Sequence, residues 1–447
     1  MLDINLLVSK ISEVIWGWPL LAIFMGVGAL VTVMLRFVQF RFFTESFKLV
    51  FSPKARPKAA KSGEMTPFQA FINALGTSTG NGSIAGIGTA IYMGGPGAAF
   101  WILIAGVFAL ALRFAEVFLA TYVIGKYKYK TAEGGPMVYL SRVPGGTVLP
   151  YLFAISLLFY SFTSGSAMQA NSIGLGISRI LGLDTWITAT VLGLFVVYVM
   201  LGGAERILKI SDKLVPFKVG VFIVSSLIVL VYHYANLGEA LRLMWLGAFT
   251  PAALGGAGVG FTVQQAMRNG IARSLNAHES GLGVAATLFG STGSKEPMKD
   301  SIMSMLGTFI STYVVCFVVA LCIVMSGVWH NGLTSAALTI SAFETVFGTA
   351  GGWVVTFCAA SFGLGCLVSF IFIARDAWLF LTNGRWAGLC SLIYIAITVL
   401  GTMAKVDIIW NLNDIVNGLM FVINLYGIIY FLPVMRQQVS AYIGKAK

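Results

Sequence analysis

Eleven apolar runs, each about as long as a bilayer is thick, limit what this chain can become. They lie near residues 15–40, 66–94, 96–125, 148–179, 185–203, 212–235, 255–290, 298–328, 351–380, 386–404 and 408–435. About 20 residues at about 1.5 Å each cross about 30 Å of hydrocarbon. Only helices and closed barrels satisfy their own backbone there, and the alternating ten-residue pattern of barrel strands is absent from the sequence. The expectation is an all-α polytopic membrane protein with eleven transmembrane helices. Segment 335–348 is too short and mixed to span and reads as an interfacial helix in a loop.

Charge then orients the spans. Only 10% of residues are charged, against about 25% in soluble domains, and the balance is +12. Lys and Arg collect on cytoplasmic loops. Loop 41–65 carries Arg41, Lys48, Lys54, Arg56, Lys58 and Lys61, and loop 126–147 carries Lys126, Lys128, Lys130 and Arg142. The opposite side has Lys10, Arg179, Arg242 and Lys405. The N-terminus is therefore expected outside and the tail 436–447, with Arg436, Lys445 and Lys447, inside the cytoplasmic membrane. Charges that follow loops rather than one soluble face argue against nucleic acid. The N-terminus lacks the basic n-region and cleavage site of a removed signal peptide. The five cysteines, Cys316, Cys322, Cys358, Cys366 and Cys390, fall in spans without a CxxC pair and read as packing residues, and three scattered histidines form no metal pattern.

The second span is interrupted by Gly76-Thr77-Ser78-Thr79-Gly80-Asn81-Gly82. Gly80-x-Gly82-x-x-Ala85 loosely matches a dinucleotide fingerprint, but no strand precedes it and no βαβ unit surrounds it. Close helix packing explains Gly86, Gly88, Gly94 and Gly95. It does not explain successive polar residues, which point all round a helix. A broken helix does: glycine permits unwound backbone, and the freed N–H and C=O groups meet a ligand instead of lipid. Such breaks come in pairs at matching positions of inverted repeats. The seventh span is again polar and Gly-interrupted, from Gln264 to Gly283, with Arg268, Asn269 and Arg273 inside it. Setting aside an extra helix at 15–40 leaves repeat one at 66–235 and repeat two at 255–435, one transmembrane domain over 1–435 that resembles the LeuT-type 5+5 fold.

The motifs "GGPGAAFW", "RFAEVFLA", "EGGPMVYL", "MQANSIG", "KLVPF", "ESGLG" and "DIVNGLM" follow one another in the order of the alanine/glycine:cation symporter family. The resemblance spans roughly residues 66–430. It implies a symporter that carries a small neutral amino acid inward with sodium and needs no cofactor beyond the coupling cation. By the same resemblance the amino acid lies against Ser78, Thr79, Gly80, Asn81 and Gly82, with Gln169 reaching it from the fourth span. An amide in an apolar helix is costly if unpaired and suits a zwitterion; the alternative is that Gln169 and Asn171 bond neighbouring helices. Asp414 and Asn417 match the family's DxxNG, and an ionisable group at membrane depth is functional by default unless it pairs with an Arg or Lys. Arg113 and Glu116, three apart, read as a structural pair. No nucleophile–base pair points to an enzyme. The alternative to transport is a non-transporting amino-acid sensor.

Departures from the family sharpen these expectations. Asn276 stands where an aromatic is usual and Ser369 falls at or beside a usual Trp, which predicts a smaller, more polar pocket and a substrate such as serine or glutamine. A Ser-Thr pair that would ligate sodium appears as Gly363-Leu364, leaving Thr77 and, with a slip in alignment, Ser361 or Ser369 as possible sodium ligands. Lys218 replaces an apolar residue after "VPF". In proton-coupled relatives of this fold a lysine on that helix takes the sodium position; otherwise Lys218 snorkels to the inner interface.

Overall fold

The computed structural model describes residues 14–54, 56–57, 65–250, 262–404 and 406–445. The charges expected at Lys10, Lys58, Lys61, Lys405 and Lys447, and the start of the seventh run at 255–261, lie outside the described residues. Among the described residues there is no β-strand, only an isolated bridge between Tyr129 and Ala132. The helices that build the molecule are α1 (Trp18–Met34), α2 (Pro67–Ser78), α3 (Ala85–Gly94), α4 (Gly97–Tyr122), α5 (Leu149–Phe162), α6 (Met168–Leu181), α7 (Thr185–Leu201), α8 (Gly203–Tyr232), α9 (Leu237–Phe249), α10 (Val263–His278), α11 (Val284–Gly290), α12 (Pro297–Phe309), α13 (Phe317–Met325), α14 (Ser335–Phe347), α15 (Thr349–Leu381), α16 (Ala387–Met403) and α17 (Val406–Lys445). Among the described residues, six continuous helical segments are long and apolar enough to cross a membrane.

Local chemistry sets the helix ends. Both α2 and α10 begin on a reciprocal capping box, Thr66 with Gln69 and Thr262 with Gln265, which satisfies two orphan donors at each start. Helix α3 stops at Gly95, whose φ of +65° an L side chain rarely adopts, and Pro96 leads directly into α4. A π-turn, Thr163–Ala167, joins α5 to α6, and another, Ile310–Cys316, joins α12 to α13.

Helices α4 and α15 form the centre, each with 78% of its apolar window buried, whereas α8 lies at the periphery with 39%. The 13-residue α14 packs on α3 and α15, and Thr339 Oγ1 donates to Ile84 O at 3.2 Å. Helix α9, which the apolar runs do not anticipate, packs its Gly247 against Gly97 of α4; a methyl on Gly97 would lie 2.2 Å from Gly247 O.

Candidate functional site at two broken helices

The first interruption is shorter than the polar stretch implies. Helix α2 continues through Gly76, Thr77 and Ser78. Their hydroxyls turn back on their own helix: Thr77 Oγ1 to Ala74 O at 3.0 Å and Ser78 Oγ to Leu75 O at 3.4 Å, joined by Thr79 Oγ1 to Leu75 O at 2.6 Å. The backbone leaves the helix at Thr79 and Gly80, makes a 3-10 turn over Asn81–Ser83 and re-enters at α3. Gly80 has φ −95° and ψ −171°, extended backbone open to any residue. Close approach is what demands glycine there: a methyl would sit 2.7 Å from Cys366 Sγ and 3.1 Å from both amide atoms of Gln169. At Gly82 the nearest atom to such a methyl would be Asn276 O at 3.6 Å, an ordinary contact that brings the turn against α10.

Gln169 braces this turn. Its Oε1 accepts from Asn81 N at 2.9 Å, and its Nε2 donates to Ser164 O in the π-turn at 2.9 Å. Asn81 is buried and its Oδ1 has no hydrogen-bond partner among the described residues. Asn171, two residues along, bonds instead to Gly401, Thr402 and Ala404 carbonyls, a helix-packing role. Lys218 reaches in from α8. Its Nζ donates to Thr79 O at 2.8 Å, Gly76 O at 3.1 Å and Phe362 O at 3.4 Å. It does not snorkel: the side chain is fully buried.

The second interruption lies between α10 and α11, and here positive φ is required: Glu279 has +55°, Gly281 +84° and Gly283 +82°. Glu116 Oε2 of α4 accepts from Gly281 N at 3.0 Å and Gly283 N at 2.9 Å, and Asn424 Nδ2 donates to the same oxygen at 3.2 Å. Arg113 pairs with Glu116 Oε1 at 3.0 Å and also donates to His278 O and Thr308 Oγ1. Tyr160 donates to Glu279 Oε1 at 2.9 Å.

Several expected site residues belong to internal networks. Asp414 is forked by Arg273, at 3.1 and 2.7 Å, and accepts from Asn276 Nδ2 at 3.0 Å. Asn417 Nδ2 donates to Asn276 Oδ1. Ser369 Oγ donates to Asn73 Oδ1 at 3.2 Å, beside Gly76, and Ser361 Oγ donates to Cys358 O at 2.9 Å in its own helix. Asn276 and Ser369 thus have partners of their own, which removes the hydrogen-bond ground for requiring a polar substrate. Among the described residues no group of His, Cys, Asp and Glu could hold a metal ion.

Cys366, whose Sγ donates to Thr77 O at 3.0 Å, and the Glu116 cap are not anticipated by the sequence reading. A repeat that could have sharpened it is visible in the residues: Thr66-x-x-Gln69-x-x-x-Asn73 returns as Thr262-x-x-Gln265-x-x-x-Asn269. In each copy the Asn Nδ2 donates to the Gln carbonyl at 2.9 Å.

A helical membrane protein with two interrupted helices meeting in its core has the build of a multi-pass transporter. The chain belongs to the sodium:alanine symporter family, whose profile matches residues 1–447; this is a transporter family, not an enzyme class. It is 33% identical over 450 residues to an uncharacterised transporter of Haemophilus influenzae, covering 100% of this chain and 98% of that one. It is 29% identical over 455 residues to the sodium/alanine symporter AgcS of Methanococcus maripaludis, covering 99% and 98%. Among solved structures, a mutant of the manganese transporter of Eremococcus coleocola superposes with a TM-score of 0.54 at 11% identity, over 85% of this chain and 81% of that one. That last likeness concerns the fold alone.

Proposed function

We propose that this protein is a secondary symporter of the cytoplasmic membrane that imports a small neutral amino acid by alternating access. The N-terminus faces outside and the C-terminal tail the cytoplasm. Six long helical segments, the shorter Trp18–Met34, Thr185–Leu201 and Ala387–Met403, and the two broken helices make the eleven crossings of a LeuT-type fold with one extra helix. The repeated Thr-Gln-Asn signature at the starts of α2 and α10 supports their equivalence as first helices of two repeats.

The observation that carries the reading is Asn81: its N–H is held by Gln169 while its buried Oδ1 is unpartnered, in a turn that abuts α10. The 3-10 turn and the start of α3 offer backbone donors, and a helix N-terminus favours a carboxylate. Ser78 to Gly82 with Gln169 thus form the proposed amino-acid site, and the carbonyls at the end of α2 form the cation side. Asn276 and Asp414 act as supports that tie α10 to α17. The test is uptake of labelled alanine into liposomes containing the purified protein, with the twenty amino acids as competitors. Saturable uptake competed by small neutral amino acids is expected. Binding without uptake would favour a sensor instead.

A further inference from the structure

Lys218 lies on a peripheral helix next to Phe217, which is 56% exposed, yet Lys218 itself is 0% exposed. Its Nζ meets three backbone carbonyls, those of Thr79, Gly76 and Phe362, and stands 5.2 Å from the centre of the Phe362 ring. Among the described residues no carboxylate lies within ion-pair distance of it, so carbonyl dipoles and an aromatic face compensate the charge. Two of these carbonyls are freed where α2 ends, the negative pole of that half-helix. Across the gap Gly365 clears the space: a methyl there would lie 2.7 Å from Nζ.

We propose that Lys218 is a tethered coupling cation: its ammonium fills the carbonyl cage of the first break, and transport is driven by a proton exchanged on Nζ instead of by sodium in that cage. This rests on the transporter reading above. An ammonium has three N–H donors for its three carbonyls. The neutral amine has two, and its lone pair then faces a carbonyl oxygen. Loss of the proton therefore loosens the grip on Gly76 and Thr79, and regaining it closes that grip. In the inward-open state Lys218 releases H+ to cytoplasmic water as –NH3+ becomes –NH2; in the outward-open state it takes H+ from outside. The other titratable groups facing it are Cys366 from α15 and Glu279 from the second break; α2 contributes none.

The full chain in liposomes tests this in separable steps. Exchange of labelled alanine without any ion gradient reads the transporter proposal alone. In sodium-free choline buffer, an outside-acid gradient of one pH unit should then drive up to about tenfold accumulation for one proton per substrate. A sodium gradient at equal pH should drive none. Lys218→Met should abolish the acid-driven accumulation, and Gly365→Ala, which crowds the ammonium without removing it, should reduce it. Accumulation on sodium but not on acid in the wild type would overturn the proposal, whether or not the variants fold. A binding measurement needs no transport at all: the melting temperature of the purified wild type should be the same in sodium and in choline, whereas a sodium-specific rise in the wild type would show that sodium binds and overturn it; in Lys218→Met, whose cage is emptied, such a rise is expected.

Discussion

The two broken helices solve one problem with opposite charges. At the first break α2 ends, its carbonyls are freed, and the ammonium of Lys218 meets them. At the second break the chain turns into α11, and the carboxylate of Glu116 accepts the N–H groups of Gly281 and Gly283 just before that helix. Each choice follows the polarity of the half-helix, negative at a C-terminus and positive at an N-terminus. The means of breaking also differ. Glu279, Gly281 and Gly283 use left-handed backbone, while Thr79 and Gly80 keep negative φ and Gly80 is needed for proximity to Cys366 and Gln169. The first break is held by one long side chain from a peripheral helix and by Gln169; the second is tied by Glu116, Arg113 and Asn424 together. On the proposed function, the first break is the working site and the second its anchor.

The comparison fails most visibly if the anchor is dispensable. Glu116→Ala strands the buried Arg113 and uncaps Gly281 and Gly283, so stability should fall by about 3–5 kcal/mol. Thermal unfolding in detergent measures this, and a variant as stable as wild type would dissolve the distinction. The next effect falls on Gly80. Gly80→Ala overpacks against Cys366 and Gln169 and should cost about 1–3 kcal/mol with most of the uptake; adding Cys366→Ala should restore part of both, and Gly82→Ala should be mild because its methyl finds only ordinary contacts.

Gly281→Ala sharpens the contrast from the other side. The left-handed backbone penalty of about 1–2 kcal/mol for an L residue should persist when Phe421, 2.7 Å from such a methyl, is trimmed to Leu. Full rescue would mean that crowding governs both breaks. The smallest expected effect separates bracing from packing: Asn171→Ala should cost about 1 kcal/mol and leave uptake near wild type. Gln169→Ala should abolish uptake while the protein still inserts and elutes as wild type.

Much of this architecture is legible in the sequence because membrane constraints are local. A run of apolar residues needs no partner to be recognised, and polar residues pointing all round a helix announce a break from their own spacing. Arg113 and Glu116 were readable for the same reason, being three apart on one face. Contacts across hundreds of positions were not. Asp414 reads as a functional acid at membrane depth unless an Arg or Lys pairs with it, and that partner, Arg273, lies on a distant span. The polar stretch overstates the first break, because three of its residues spend their hydroxyls on their own helix or on its end. Lys218 stands out in the sequence as a foreign residue in a familiar motif. Only the packing of α8 against Gly365 distinguishes an inward ammonium from one that snorkels.

Glu116 also carries a consequence for the order in which the protein is made. The residues that finally compensate its Oε2, at Gly281, Gly283 and Asn424, are synthesised 165, 167 and 308 positions later. A lone carboxylate in a nascent membrane helix costs up to about 2.5–3.5 kcal/mol to insert. Arg113, one turn earlier on the same helix, lets α4 leave the ribosome carrying its own counter-charge. The helix can therefore wait in the bilayer as a neutral dipole until the later helices arrive, at which point one oxygen becomes the meeting place of three parts of the chain made at three different times.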